Sequence, residues 1–333
     1  MITLSYLLRR VAYTIVTFFV AITFNFLLPR AIPGNPAKFI LLSRYGNQFN
    51  PQKLKLIESQ LHLTGTVWQQ YEGYMTGLFH GNLGVSYYYY PATVSSIIAT
   101  HLPWTLFLLG TSTLISVIVG ISIATFVGWR LGGMADSFVS AVSMSLASVP
   151  FFWLGLIFQM IFAVMLVFDG FHIFPVAHAY NPLLTPGPTP TFIFSMLRHA
   201  LLPVITLVLI SFPGFTLLMR NTIATVIKDD YILMARAKGL RTWRLKRHYI
   251  NRNARLPVVT SVVFAFASIV GGAFLVEELF SYQGIGYVLF NAVTTSDYPL
   301  IEGVFLVITL TVIVANFLAD ILYSFLDPRV IYR

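Results

Sequence analysis

Long apolar runs alternate with polar segments along the whole chain, and six runs have the length of a membrane-spanning helix. A transmembrane helix needs about 20 consecutive apolar residues. The six predicted spans cover residues 9–29, 103–128, 138–167, 200–220, 257–276 and 303–326. Composition agrees, because 57% of the 333 residues are hydrophobic, only 10% are charged, and the mean hydropathy is +0.77. The pattern therefore predicts an all-α, polytopic membrane protein with about six transmembrane helices.

Prolines indicate where three of these spans start or bend. Pro103 suits the first turn of the second span, where the missing backbone N–H is tolerated. Pro150 is expected to kink or interrupt the third span, which is too long for one crossing. Pro213 and Gly214 predict a bend in the fourth span.

Three segments between the spans are too polar or too broken to be simple crossings. Residues 30–102 are long and aromatic enough for a small extracytoplasmic domain, with a long linker as the alternative. Residues 168–198 predict a second external loop. Residues 277–302 are expected to form an interfacial or re-entrant piece, because Gly284, Gly286 and Pro299 interrupt them. The predicted units are thus 1–29 (N-terminus and first span), 30–102, and a core of five spans over 103–333.

The distribution of basic residues predicts that both termini are cytoplasmic. With the termini, the turn at 129–136 and the segment 221–257 inside, most of the 21 Lys and Arg residues lie inside. The six outside residues are Arg30, Lys38, Arg44, Lys53, Lys55 and Arg198. This one-sided distribution also explains the net charge of +9 without nucleic acid as a partner.

The most densely charged stretch, residues 228–257, is predicted to form two short helices. Asp230 places negative charge at a helix N-terminus, where it is favourable. Tyr231, Ala235 and Gly239 recur at i, i+4 and i+8, so they share one face with two small residues. Gly239 also suits the left-handed position that ends a helix.

After that glycine, Thr242 is expected to cap a second, basic helix, and Pro257 to lie in the first turn of the next apolar helix. A helix, a glycine and a second helix on the basic side of a membrane protein form a projection for docking a soluble partner. The alternative is a basic loop that only sets topology.

Candidate chemistry inside the membrane part is sparse. Asp320 is the main ionisable residue within a span, whereas a proton-coupled carrier is expected to keep carboxylates or histidines at mid-membrane. The chain lacks a phosphate-binding loop and a nucleophile–base arrangement, so we expect no catalysis and no cofactor. His172 and His178 are interpreted as ordinary loop residues, with a metal site as the weaker alternative. Energy is therefore expected to come from another subunit.

Several short motifs resemble the dipeptide/oligopeptide branch of ABC importer permeases, specifically its B-type subunit. Asp230-Tyr-Ile-x-x-Ala-Arg-Ala-Lys-Gly-Leu240 and Arg252-Asn-Ala-x-Leu-Pro257 resemble its cytoplasmic coupling loop. The other matching segments, in chain order, are Ile32-Pro-Gly-Asn-Pro-Ala37, Leu83-Gly84-x-Ser86, Pro91, Leu102-Pro103-x-Thr105-Leu106, Ser148-Val-Pro-Phe-Phe-Trp-Leu-Gly155, Arg198-His199-Ala-Leu-Leu-Pro203, Thr206-Leu207, Gly271-Gly272, Glu277-x-x-Phe280, Gly284-Ile-Gly286, Asp297-Tyr-Pro299 and Asp327-Pro328-Arg329. Gln283 departs from the proline usual in that family, and of its Glu-Ala-Ala letters only Ala235 matches.

The resemblance implies a type I ABC importer permease fold and a subunit of a larger machine. The implied partners are a second permease subunit in a heterodimer, two ATP-hydrolysing subunits, an extracytoplasmic binding protein and membrane lipid. The implied ATPase-coupling residues are Asp230, Tyr231, Ala235, Arg236, Ala237, Lys238, Gly239 and Arg241, while Asn253 and Pro257 would fix the return into the fifth span. Motion of this helix would tilt the spans between inward-open and outward-open states.

The same resemblance indicates a pathway or gate element at Gly271, Gly272, Glu277 and Glu278. For the two glycines the alternative is helix packing by small residues. For the two glutamates it is a solvated outer rim.

The implied substrates are di- or oligopeptides, with oligosaccharides as the second choice. A stand-alone channel or secondary carrier, and an intramembrane enzyme, are the hypotheses from other classes.

Overall fold

The computed structural model describes residues 4–31, 65–165, 174–267 and 274–326, together with four isolated positions between 37 and 59. The regular elements of these parts are helices, connected by loops and with one isolated antiparallel bridge between Val85 and Thr93. We number the described helices α1 to α12 in chain order. The all-α prediction is confirmed.

The first helices are longer than their apolar runs. Helix α1 covers Leu4–Ala31, α2 covers Val67–Phe79, and α3 covers Val94–Val127. The prediction that Pro103 starts the second span is wrong, because Pro103 lies inside α3. The hydroxyl of Thr93 accepts a hydrogen bond from the Ser96 N–H and caps the helix well before the proline.

The third predicted span is broken, as expected, at Pro150. Helix α4 covers Met134–Ser148, and α5 covers Phe151–Phe158 and continues as a π-helical segment, Gln159–Met165. The two parts meet at an angle of 93°. Proline at this point cannot continue the backbone ladder of α4, so the chain either crosses as a broken span or re-enters.

Helix α6, Pro190–Val226, packs along α3 and forms the centre of the bundle. The contact face of α3 consists of small buried residues at every fourth position, namely Ser112, Ser116, Gly120 and Ala124. A Cβ atom at Gly120 would lie 2.7 Å from the Cβ of Phe215 and 2.9 Å from the carbonyl oxygen of Phe212. The two backbones therefore approach closely, as small residues at four-residue spacing allow in membrane helices.

The remaining helices follow in short succession. Helix α7 covers Asp230–Ala237; α8, Thr242–Arg244, continues through a π-helical turn, Leu245–Ile250, into α9, Asn251–Ala267. Helices α10, α11 and α12 cover Phe274–Leu279, Ile285–Thr294 and Tyr298–Leu326.

Two expectations about α8 and α9 are corrected. Thr242 is the first residue of α8 rather than its cap; Arg241 takes that position, without a side-chain capping bond. Pro257 lies inside α9 rather than in its first turn, because the helix begins upstream.

Within the described ranges, three helices are long and apolar enough to cross a bilayer: Leu8–Ala31, Val94–Val127 and Pro190–Val226. The bent pair α4–α5 raises the number to four if it is one span. The predicted fifth and sixth spans fall on α9, with part of 257–276 outside the described residues, and on α12, where Tyr298–Val314 is a shorter apolar segment.

Candidate functional site

Helix α7 is anchored to the end of α6 and the start of α9 by a hydrophobic cluster. Ile232 and Ala235, 0% and 5% exposed, form its inward face. The other buried residues of this cluster are Ala124 of α3, Phe215, Met219, Ile223 and Val226 of α6, Leu245 and Ile250 of the π-helical turn, and Ala254 and Val258 of α9. Since these side chains form one cluster, α7 is attached to α6 and α9 together.

The end of α7 is a left-handed glycine turn. Gly239 has φ +73°, which confirms its predicted conformation. Its N–H donates to the Arg236 carbonyl at 2.9 Å, and the Leu240 N–H donates to the Ala235 carbonyl at 3.3 Å. This pair of bonds satisfies the last carbonyls of the helix and lets α8 leave in a new direction.

Two of the predicted coupling residues contact each other across this turn. The side-chain amide of Asn253 in α9 donates a hydrogen bond to the Tyr231 hydroxyl in α7 at 2.8 Å. Asn253 thus ties the start of α7 to α9. Pro257, one helical turn further along α9, is exposed.

The exposed face of α7 differs from the predicted one. Leu233 and Met234, 58% and 61% exposed, are its outermost apolar side chains, with Tyr231 39% exposed beside them. The other exposed residues that the sequence analysis assigns to coupling lie around them: Asp230, Arg236, Ala237, Lys238, Gly239 and Arg241. Ala235 does not belong to this face, because a short helix on a bundle must bury one stripe against its own chain.

Another predicted position, Glu277 in α10, is completely buried. Its Oε2 accepts hydrogen bonds from the Gly286 N–H at 2.7 Å and the Tyr287 N–H at 3.4 Å, at the first turn of α11. A Cβ atom at Gly284 would lie 2.3 Å from that carboxyl group. The solvated rim is therefore wrong for Glu277, whose carboxyl group holds the first turn of α11.

Unpaired polar atoms surround this turn. Among the described residues, Glu277 Oε1, Glu278 Oε2 and the Tyr282 hydroxyl are buried without a hydrogen-bond partner. Glu278 itself is half-buried. The other two predicted pathway residues, Gly271 and Gly272, lie outside the described residues.

A buried carboxylate that the sequence analysis did not assign lies just before α12. Asp297 accepts hydrogen bonds from the Ser86 hydroxyl and the Tyr88 N–H, and its Oδ1 accepts one from the Leu300 N–H at 3.3 Å. Burial raises the pKa of the Asp297 carboxyl above its ordinary value, although these hydrogen bonds act in the opposite direction. Two motifs noted separately, around Ser86 and Asp297, are thus one contact.

A buried ion pair joins α1 to α12 near the same place. Arg30 at the end of α1 pairs with Glu302 of α12, which is 7% exposed. The Arg30 guanidinium also lies 3.5 Å from the Phe26 ring centre and donates to Gln70 of α2 at 3.2 Å. From the sequence Arg30 is only an outside charge, because nothing near it in the chain indicates a partner.

A second ion pair fixes the turn between α3 and α4. Arg220 of α6 donates two hydrogen bonds to Asp136 of α4, at 2.8 Å and 2.6 Å. The Gly132 N–H donates to the same carboxylate at 2.9 Å. Asp136 is 1% exposed, so this bidentate pair aligns α4 on α6.

Long apolar helices, with the short helix α7 packed at the ends of α6 and α9, define a multi-pass helical membrane protein. Residues 116–332 match the binding-protein-dependent transport system inner membrane component family, and residues 3–109 match the N-terminal family of the same systems. The chain belongs to this family of ABC importer permeases, which are multi-pass inner-membrane transport subunits and not enzymes.

Curated relatives align along almost the full length. The di/tripeptide transport system permease protein DppB of Pseudomonas aeruginosa is 32% identical over 98% of each chain. The dipeptide transport system permease protein DppB of Alkalihalophilus pseudofirmus is 29% identical over 99% of this chain and 100% of its own. The protein of that name from Escherichia coli K12 is 28% identical over 99% of each.

Proposed function

We propose that this chain forms half of the translocation pathway of an ATP-driven importer for di- or oligopeptides. The support for peptides comes from the relatives, whose names describe dipeptide and di/tripeptide transport systems. The absence of catalytic motifs in the sequence is consistent with a subunit whose energy is supplied by partners.

The observation that carries the proposal is the construction of α7. Its outer face presents Leu233 and Met234 among cationic side chains, and its inner face is packed into α6 and α9. A partner bound to the outer face of α7 can therefore displace α6 and α9 together. We assign this grip to the ATP-hydrolysing subunits, with Arg236, Lys238 and Arg241 as the steering charges.

The other partners follow from the family and from topology. We propose a heterodimer with a second permease subunit, two ATP-hydrolysing subunits bound to α7 and its counterpart, and both termini in the cytoplasm. Residues 30–102 would then form an extracytoplasmic domain that contacts the substrate-binding protein. The Asp297 contacts support a fixed position for its described part, since Ser86 and Tyr88 belong to that segment.

We keep Gly271, Gly272, Glu277 and Glu278 as the proposed pathway or gate element. In this role, the Glu277 carboxyl group would couple α10 to α11, so that the two short helices move as one piece. The half-buried Glu278, with an unpaired carboxylate oxygen, would be the member that meets substrate or water.

Charge substitutions on the outer face of α7 test the proposal. Leu233→Asp and Met234→Asp are expected to abolish co-purification of the ATPase subunits and ATP-driven uptake, because each puts a charge at the centre of an apolar contact. Leu183→Asp is the matched control, since Leu183 is 91% exposed in the loop before α6. Normal ATPase association of both α7 variants would refute the assignment.

A ligand assay tests the substrate class separately. The binding protein that co-purifies with the complex is expected to carry peptides, which mass spectrometry of the released ligand would identify. Release of oligosaccharide alone would refute the peptide assignment and leave the coupling assignment intact.

A further inference from the structure

Helix α9 has an outward stripe that changes from cationic to apolar along its length. Arg252, Arg255 and Val259 recur at i, i+3 and i+7, so they occupy one side of the helix. All three are exposed, whereas Ala254 and Val258 are buried against the bundle. The stripe is thus open to whatever surrounds the bundle at this level.

Arg252 and Arg255 have no carboxylate partner among the described residues. The ion pairs in which both partners are described include those of Arg30 with Glu302 and Arg220 with Asp136, and neither Arg252 nor Arg255 takes part in one. Both positive charges are therefore available to an anion outside the chain.

The distance of Arg252 and Arg255 from the apolar part of α9 indicates which anion they can reach. From Pro257 onward α9 has no charged residue, so the hydrocarbon region begins near that point. At about 1.5 Å per residue, Arg255 and Arg252 lie roughly 3 and 8 Å from Pro257. The polar headgroup layer is roughly 5–8 Å deep on each side of the hydrocarbon core, so both guanidinium groups reach phosphate level.

We propose that Arg252 and Arg255 bind the headgroup of an anionic phospholipid, whose acyl chain lies along Val259. Two adjacent guanidinium groups match phosphate oxygens through charge-assisted hydrogen bonds. The exposed apolar side chain directly above them continues the same stripe, so one amphipathic molecule satisfies both parts. This binding site lies on the helix to which α7 is anchored, but it needs neither ATP nor substrate.

The helical segment that leads into α9, namely α8 and the π-helical turn, provides a control pair. Arg244 and Arg247 are also exposed and carry the same charge, but they lie roughly 15–20 Å from Pro257 along the helix, beyond the headgroup layer. Binding of lipid at the proposed site therefore depends on Arg252 and Arg255. A general effect of net charge would depend equally on these two residues and on Arg244 and Arg247.

The test uses the full chain, purified in an uncharged detergent with its co-purifying subunits. Dioctanoyl phosphatidylglycerol, dioctanoyl phosphatidylcholine and inorganic phosphate are titrated separately, and the thermal unfolding midpoint is followed. We expect phosphatidylglycerol alone to raise the midpoint. Since each basic residue at an anionic surface contributes about a fivefold gain in affinity, Arg252→Gln with Arg255→Gln should weaken binding roughly 25-fold.

The lysine pair Arg252→Lys with Arg255→Lys should retain most of the affinity, and Arg244→Gln with Arg247→Gln should leave it unchanged. If the double glutamine variant fails to assemble, each single variant carries the same test with a fivefold loss. The proposal is wrong if Arg244→Gln with Arg247→Gln weakens phosphatidylglycerol binding as much as Arg252→Gln with Arg255→Gln does. It is also wrong if the latter pair leaves binding unchanged, or if inorganic phosphate raises the unfolding midpoint as much as phosphatidylglycerol.

Discussion

Replacing Gly284 by alanine is expected to destabilise the protein through one identifiable clash. The backbone there is extended, with φ −92°, so an alanine is not strained by its conformation. Its Cβ would lie within 2.3–2.4 Å of three atoms, all of the Glu277 carboxyl group. Overpacking of this kind costs about 1–3 kcal/mol. At Gly286 the nearest atom is instead the Cα of Phe274, at 2.5 Å.

This difference predicts the outcome of a double-mutant experiment. Glu277→Ala alone should cost about 1–3 kcal/mol, because the buried N–H of Gly286 loses its acceptor. It should also remove the clash at residue 284, so Glu277→Ala with Gly284→Ala should be about 1–3 kcal/mol more stable than the sum of the single effects. With Gly286→Ala the recovery should be much smaller, since the Phe274 backbone remains in place.

The measurement is the free energy of unfolding from SDS titration in mixed micelles. Gly110→Ala in α3 is the control, because a Cβ atom there has no neighbour within 4 Å. If Gly284→Ala is as stable as Gly110→Ala, or if Glu277→Ala gives no recovery, the carboxyl group does not occupy the first turn of α11.

Two further predictions concern single contacts. Tyr231→Phe removes the hydroxyl that accepts a hydrogen bond from Asn253, so the free energy of unfolding should fall by about 1 kcal/mol. A double-mutant cycle with Asn253→Ala should assign most of this loss to the pair, and additive effects would exclude the bond. Asp136→Ala leaves Arg220 without its bidentate partner and should lower the free energy of unfolding by about 2–4 kcal/mol in the same assay. Adding Arg220→Ala in the same chain should recover part of this loss, and the absence of any recovery would contradict the pairing.

Features with a local cause could be predicted from the sequence. Pro150 cannot continue a helical ladder, and the chain breaks there. Gly239 adopts positive φ with little steric penalty, and α7 ends there. The start of α3 lies upstream of the predicted one because Thr93 caps the helix well before Pro103, which is accommodated inside it.

Features that depend on distant partners could not be predicted. Arg30 and Glu302, or Ser86 and Asp297, are far apart in the chain, and a single sequence has no record of which polar residue meets which. The predicted exposed face of α7 is wrong for a related reason. Spacing put Ala235 on a face with Tyr231, but only the packed bundle determines which side of a short helix is buried.

Helix α12 links the two ends of the molecule. At its start it holds α1 through the Glu302 pair, and further along Thr309 accepts a hydrogen bond from Asn25 of α1 at 3.2 Å. It also packs against α9, the helix to which α7 is fastened. If α7 couples to a partner as proposed, its displacement would reach α12 through α9, and the loop before α12 is hydrogen-bonded to Ser86. This series of contacts is the route along which the proposed coupling would act.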